Sequence, residues 1–234
     1  MIRAYLYLLI FLPVTALFAV SASICTLFDA SGGAYAFHAR VWARIALALN
    51  NTPVELRGAE HLPDGPCILM SNHQSNFDIL ALIAAVPCRI YWIAKKELFD
   101  IPVFGSSMRR GGYIPLDRSD GRKALKSMEN AAAIIRDGKS VVMFPEGTRS
   151  RDGQLLPFKR GGFMLAARAG VPVVPVTING SGKVNPGGLI TLYPGSISLT
   201  LHPQVTIPVG MKKADGEEWL TEKVRSVITS GLEA

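Results

Sequence analysis

Hydrophobic and polar positions divide this chain into two parts with different rhythms. Residues 4–28 (AYLYLLIFLPVTALFAVSASICTLF) carry no charged side chain between Arg3 and Asp29. As a helix this run extends about 37 Å, against about 30 Å for the hydrocarbon core of a bilayer. Pro13 would kink it, which membrane helices tolerate. Ser31-Gly32-Gly33 reads as a turn, and residues 34–50 predict a second helix whose strongly polar interior residues are His38, Arg40 and Arg44. Two arrangements fit: a true span, or a helical hairpin dipping into one leaflet. A cleaved signal peptide fits less well, because the apolar run is long for one and only Arg3 supplies flanking charge.

From Thr52 the pattern changes to short apolar runs alternating with amphipathic stretches. Strands are expected at 53–58, 66–71, 89–94, 112–116, 140–144, 172–178 and 196–201. Helices are expected at 77–85, 103–110, 120–137, 161–169 and 215–230. The alternation predicts an α/β domain with a central, mostly parallel or mixed sheet flanked by helices. It would be preceded by the N-terminal membrane-associated helical pair, with residues 1–51 as anchor and 52–234 as the α/β domain. Residues 179–195, rich in Gly and Pro, are expected to form a loop plus a short strand.

Composition sharpens this picture. The 234 residues are 49% hydrophobic and only 18% charged, with a net charge of +7, which excludes an intrinsically disordered chain. Nine of the 25 basic residues lie in 89–126, beside only four acidic ones. A basic, apolar protein suits an anionic membrane surface or a phosphate-bearing ligand. A nucleic-acid binder would rest on the charge alone and leaves residues 4–28 unexplained. Cys25, Cys67 and Cys88 are odd in number and form no C-x-x-C pair, so neither a disulfide framework nor a zinc site is expected.

Two segments carry candidate chemistry. Asn72-His73-Gln74-Ser75-Asn76-Phe77-Asp78 follows an apolar strand and opens a helix. A histidine there suits a general base, and a carboxylate partner would fix its tautomer. On one continuous helix His73 and Asp78 would lie about 140° apart. They can meet if His73 sits in the turn and Asp78 in the first helical turn. Phe144-Pro145-Glu146-Gly147-Thr148-Arg149-Ser150 follows the strand SVVMF. Sheets of this class place ligand contacts beyond strand C-terminal ends. Arg149 offers a fork for phosphate, Gly147 allows close backbone approach, and Glu146 could orient Arg149 or a substrate hydroxyl.

Together the blocks resemble the membrane-bound glycerolipid acyltransferases, specifically the 1-acylglycerol-3-phosphate (lysophosphatidate) acyltransferases. NHQSNFD at 72–78, GGYIPLDR at 111–118, FPEGTRS at 144–150 and VPVVPV at 171–176 match four family blocks in the family's order. The similarity extends over residues 53–205. It implies transfer of an acyl group from acyl-CoA or acyl carrier protein to the free sn-2 hydroxyl of lysophosphatidate, giving phosphatidate. His73 would be the base and Asp78 its support. Glu146, Gly147, Thr148, Arg149, Arg118 and Lys95 would bind the acceptor. The chemistry calls for no cofactor and no metal. There is no G-x-S-x-G elbow and no cysteine in a block, so direct attack without an acyl-enzyme is expected. A membrane-resident acceptor and a soluble donor imply a site at the cytoplasmic face of the cell (inner) membrane. Two alternatives stand beside this one. The acceptor could be another lyso-lipid, such as a lyso-ornithine lipid. In a different class, the protein could be a non-catalytic membrane lipid-binding protein, against which the intact His73–Asp78 pair weighs.

Overall fold

The computed structural model describes residues 2–29, 31–101, 104–117, 119–187 and 191–233. Among them, seven strands form one sheet: β1 (Val54–Arg57), β2 (Ile68–Ser71), β3 (Ile90–Lys95), β4 (Ile114–Leu116), β5 (Ser140–Met143), β6 (Val173–Asn179) and β7 (Ile197–Leu201). Their order across the sheet is β1-β7-β6-β2-β5-β3-β4. β6 and β7 pair antiparallel, and the other neighbours pair parallel. The helices are α1 (Ile2–Cys25), α2 (Gly33–Leu49), α3 (Phe77–Ala85), α4 (Phe104–Arg110), α5 (Gly121–Arg136), α6 (Arg160–Ala169), α7 (Ser181–Val184) and α8 (Lys213–Ser230).

Strand side chains alternate between two faces, and the two hydrophobic cores follow that parity. Leu69, Val142, Val174, Val176 and Ile178 point to one face, where they pack with Leu80, Ala81 and Leu82 of α3 and Ala43, Ala46 and Leu47 of α2. Ile68, Met70, Val141 and Val173 point to the other, against Ala131 and Ile135 of α5, Phe163 and Leu165 of α6, and Val224 and Ile228 of α8. A sheet covered on both faces buries both residue parities, which is why β2 and β6 read as continuous apolar runs. Pro175 lies inside β6 without disrupting it. Two residues earlier, Val173 exchanges both backbone bonds with Val205, and the Pro175 carbonyl accepts from His202 N at 2.9 Å. The missing N–H therefore faces the break after β7, where no ladder bond is needed.

The expected strands and helices match those observed to within two residues at each end, except that α1 stops at Cys25, three residues short of the apolar run's end. A second exception is 179–195. In place of a short strand, its described part holds α7 and an extended segment after Thr191. Side chains supplement a single backbone bond there, Tyr193 N to Val184 O at 2.9 Å: Asn185 Nδ2 donates to Thr191 O at 2.8 Å and Asn50 Nδ2 to Tyr193 O at 2.9 Å.

The two N-terminal helices form a hairpin. Phe11 packs on Trp42, whose indole donates to Thr15 Oγ1 at 2.9 Å. Arg3 donates to the carbonyl of Asn50, just past the end of α2, at 2.6 Å. The polar residues of α2 also have structural partners, since Arg40 and Arg44 donate to the carbonyls of Val86 and Ala84 at the end of α3. Cations suit a helix C-terminus, where carbonyls lack intrahelical donors. Along α1, Leu6, Leu9, Leu12, Leu17 and Val20 remain more than half exposed. It is the one helix among the described residues long and apolar enough to cross a membrane, and this bare face indicates membrane association.

Candidate active site

β2 and β5 are neighbours in the sheet, and the chain leaves their C-terminal ends in opposite directions. After β2 it enters α3 on one face, and after β5 it reaches α6 on the other. A crevice opens where successive connections diverge in this way, and such switch points are where α/β sheets bind ligands. The first and third blocks form its two lips.

On the first lip, the Asn72 side chain extends the sheet by exchanging two 2.8 Å bonds with the backbone of Ile178. His73 then lies in a turn, and Asp78 in the first turn of α3. His73 Nδ1 and Asp78 Oδ2 are 2.7 Å apart. A carboxylate only accepts, so Nδ1 carries the proton and Nε2 keeps its lone pair. The same Oδ2 accepts from the backbone N–H groups of Gln74 and Ser75, each at 2.8 Å. Asp78 is fully buried and His73 is 13% exposed. The pair is thus an imidazole held by a buried carboxylate, with a narrow opening to solvent.

On the second lip, Phe144 O accepts from Gly147 N at 3.0 Å, closing a tight turn with Pro145 at its second position. Gly147 has φ +70° and lies against the Lys159 side chain, which a Cβ would meet at under 3.0 Å. The left-handed backbone therefore favours glycine, whereas the flexible Lys159 end could move aside for a Cβ. Burial divides the block: Pro145, Glu146 and Ser150 face inward, whereas Gly147, Thr148 and Arg149 are exposed. Glu146 Oε1 accepts from His73 N at 2.7 Å and Oε2 from Leu156 N at 2.9 Å. Burial pushes its carboxyl above the usual range, against the lowering effect of those two N–H donors and of His73. Ser150 N donates to His73 O at 2.8 Å. The Phe144 ring lies flat on the His73 imidazole, with centroids 3.8 Å apart and planes 10° apart.

The remaining expected ligands fall around this crevice as follows. Arg149 does not pair with Glu146; it donates to Asn76 Oδ1 at 3.0 Å, a neutral partner that leaves its charge available. Lys95 is exposed at the end of β3, two strand spacings or about 10 Å from β2. Its neighbour Lys96 is paired with Asp117 at 3.2 Å. Arg118 lies outside the described residues. Lys159 is a site cation not singled out by the sequence reading. Its backbone N–H donates to Pro145 O at 2.8 Å, and its side chain folds over Gly147. Its signal in the sequence is the segment Phe158-Lys159-Arg160-Gly161-Gly162, which resembles a linker of the glycerolipid acyltransferases. The fourth block enters as the wholly buried strand β6, adjacent to β2, and contributes to the core.

Comparison with known proteins agrees with this architecture. The acyltransferase family model matches residues 53–179, more than half of the chain. A chloroplast 1-acyl-sn-glycerol-3-phosphate acyltransferase from Brassica napus is 40% identical over 199 residues, covering 84% of this chain and 55% of that protein. A 1-acyl-sn-glycerol-3-phosphate acyltransferase from Pseudomonas aeruginosa is 34% identical over 174 residues, covering 72% and 67%. The crystal structure of a 1-acyl-sn-glycerophosphate acyltransferase from Thermotoga maritima superposes with a TM-score of 0.80 at 28% identity, covering 98% of this chain and 96% of that one. The chain spans about half the length of the plant and algal relatives it matches. By sequence and by fold, the chain belongs to the acyltransferase family.

Proposed function

We propose that the protein transfers an acyl group from a thioester, acyl-CoA or acyl carrier protein, to the sn-2 hydroxyl of lysophosphatidate, yielding phosphatidate. The observation that carries this reading is the buried Asp78–His73 pair, which leaves Nε2 as an acceptor at a crevice bordered by exposed cations. His73 Nε2 takes the proton from the acceptor hydroxyl as its oxygen forms a bond to the thioester carbonyl carbon. The tetrahedral intermediate collapses with cleavage of the C–S bond. The proton on Nε2 then goes to the departing thiolate, so the base is restored within one turnover. Asp78 stabilises the imidazolium between these steps. Arg149 and Lys95 supply charge for the acceptor's phosphate, and relatives named 1-acyl-sn-glycerol-3-phosphate acyltransferase support that acceptor.

The apolar face of α1 supports a crevice that works beside a lipid surface. Both ends of α1 are tied to the rest of the molecule. Arg3 bonds to Asn50 at one end, and Arg110 donates to Ser23 O at 3.2 Å near the other. Such a helix lies along the domain rather than leaving it, which supports insertion into a single leaflet, the one facing the cytoplasm. The test is an acyl-transfer assay crossing lysophosphatidate, a lyso-ornithine lipid and a second lysophospholipid with acyl-CoA and acyl carrier protein. Fastest turnover of lysophosphatidate, lost in His73→Ala, is expected. A faster phosphate-free acceptor, or an active His73→Ala, overturns the reading.

A further inference from the structure

We propose that Phe144 and Glu146 are positioning residues that clamp His73, and that within the 144–150 block only the outward-facing Gly147, Thr148 and Arg149 meet the acceptor. This rests on His73 being the base.

The clamp closes on one residue at three points. Phe144 covers the imidazole face, Glu146 holds the backbone N–H, and the Ser150 N–H holds the backbone carbonyl. Asp78 fixes Nδ1, but a single bond leaves the ring free to rock about the Nδ1–Oδ2 direction. A parallel ring at 3.8 Å removes that motion, because tilting would drive the imidazole edge into the phenyl face. Phe144 is itself backed by Trp92, with centroids 5.9 Å apart and planes at 30°. His73 and Phe144 follow the ends of β2 and β5, and Trp92 lies within β3, so the strands set the ring positions.

Glu146 is 2% exposed, and each of its oxygens already accepts a backbone N–H. A carboxylate enclosed in this way is poorly placed to receive a substrate hydroxyl. It links the His73 turn to residue 156, stiffening the lip that carries Arg149. The kinetic consequence is a division inside one block. Inward-facing residues govern how well Nε2 is aimed, and hence kcat. Outward-facing ones govern acceptor affinity, and hence KM.

The test compares Phe144→Leu, Phe144→Tyr and Glu146→Gln in the full chain. Phe144→Leu keeps apolar bulk but removes the ring. Its kcat is expected to fall at least about tenfold with KM for lysophosphatidate within about twofold, and Phe144→Tyr to recover most of the rate. Glu146→Gln should show the same kcat-weighted loss. A second readout needs no turnover. In protein with labelled histidine, the His73 ring protons, assigned by their absence in His73→Ala, should lie upfield in wild type and Phe144→Tyr and return downfield in Phe144→Leu. Wild-type kcat in Phe144→Leu, or unmoved His73 signals, overturns the stacking role. A raised KM with unchanged kcat in Glu146→Gln returns Glu146 to the acceptor site. Should Glu146→Gln fail to fold, the Phe144 pair and the ring protons decide. If the wild-type protein does not acylate lysophosphatidate, the functional reading fails, while the ring-proton test still decides the clamp.

Discussion

Asp78 concentrates three donors on one oxygen: His73 Nδ1–H and the backbone N–H groups of Gln74 and Ser75. Its other oxygen is buried with no partner among the described residues. In Asp78→Asn the side-chain oxygen can still accept the two backbone bonds, but the amide can no longer stabilise an imidazolium. We expect kcat to fall by about 10³–10⁴ with the circular dichroism spectrum retained; a loss below tenfold would demote Asp78 to a turn-forming residue. Arg149→Ala, by contrast, removes an exposed guanidinium and should raise KM for lysophosphatidate by about 10–100-fold, since charged hydrogen bonds contribute about 1.5–3 kcal/mol. Unchanged KM would take Arg149 out of the phosphate site. At this scale the sequence displayed the proposed base and its carboxylate partner but not the groups that support them. His73 and Asp78 stand five positions apart in one short block, so their meeting could be anticipated from local geometry. Glu146 could not be understood in the same way, because its partners are backbone N–H groups at residues 73 and 156, which carry no side-chain signature.

Elements were readable where their periodicity was long enough. β6 has seven buried residues and α5 sixteen residues with one apolar face, and both stand where their patterns predict. α7 has four residues, too few for a helical period, so it was hidden within a Gly- and Pro-rich stretch. Two element junctions give tests. Gly58, just after β1, has φ +74°, and a Cβ there would lie 2.0 Å from Leu201 O of β7. Gly58→Ala should therefore destabilise the β1–β7 edge by about 2 kcal/mol, read as a melting-point drop of about 4–8 °C. An unchanged melting point would contradict this contact. At the same end of β7, burial holds the His202 imidazole below its ordinary range, with a smaller contribution from His61. His202 Nε2 lies 2.8 Å from Thr177 Oγ1, which donates to Ile228 O in α8. With the folded pKa depressed, the unfolded chain binds the proton first as pH falls. Stability from this group is thus complete above about pH 6.5 and is lost below it. Denaturant titrations from pH 7.5 to 5 should show that decline, flattened in His202→Gln; identical slopes would exclude His202 as its source.

For the whole molecule, the two surfaces that bear on attachment are the bare face of α1 and the cationic rim of the sheet. Leu9 and Leu17 are 71% and 66% exposed, so changing both to Lys leaves the cores untouched while adding about 5–7 kcal/mol to the cost of insertion. Leu9→Lys/Leu17→Lys protein should shift from the vesicle pellet to the supernatant with its fold retained. Complete co-sedimentation would transfer the anchoring role to the basic rim. α2 is a different case, since Ala43, Ala46 and Leu47 are part of the sheet's own core. Removing residues 1–50 would expose that core, so only changes confined to α1 probe membrane attachment cleanly. The tethers at both ends of α1 have one further consequence. A catalyst fastened along one face of a bilayer samples acceptors from that face alone. Under the proposed function, each turnover would add a two-chain lipid to one side while removing a single-chain lipid from it. Lateral packing there would tighten unless a separate protein carries lipid across, so a hairpin held in this way would make lipid synthesis inherently sided.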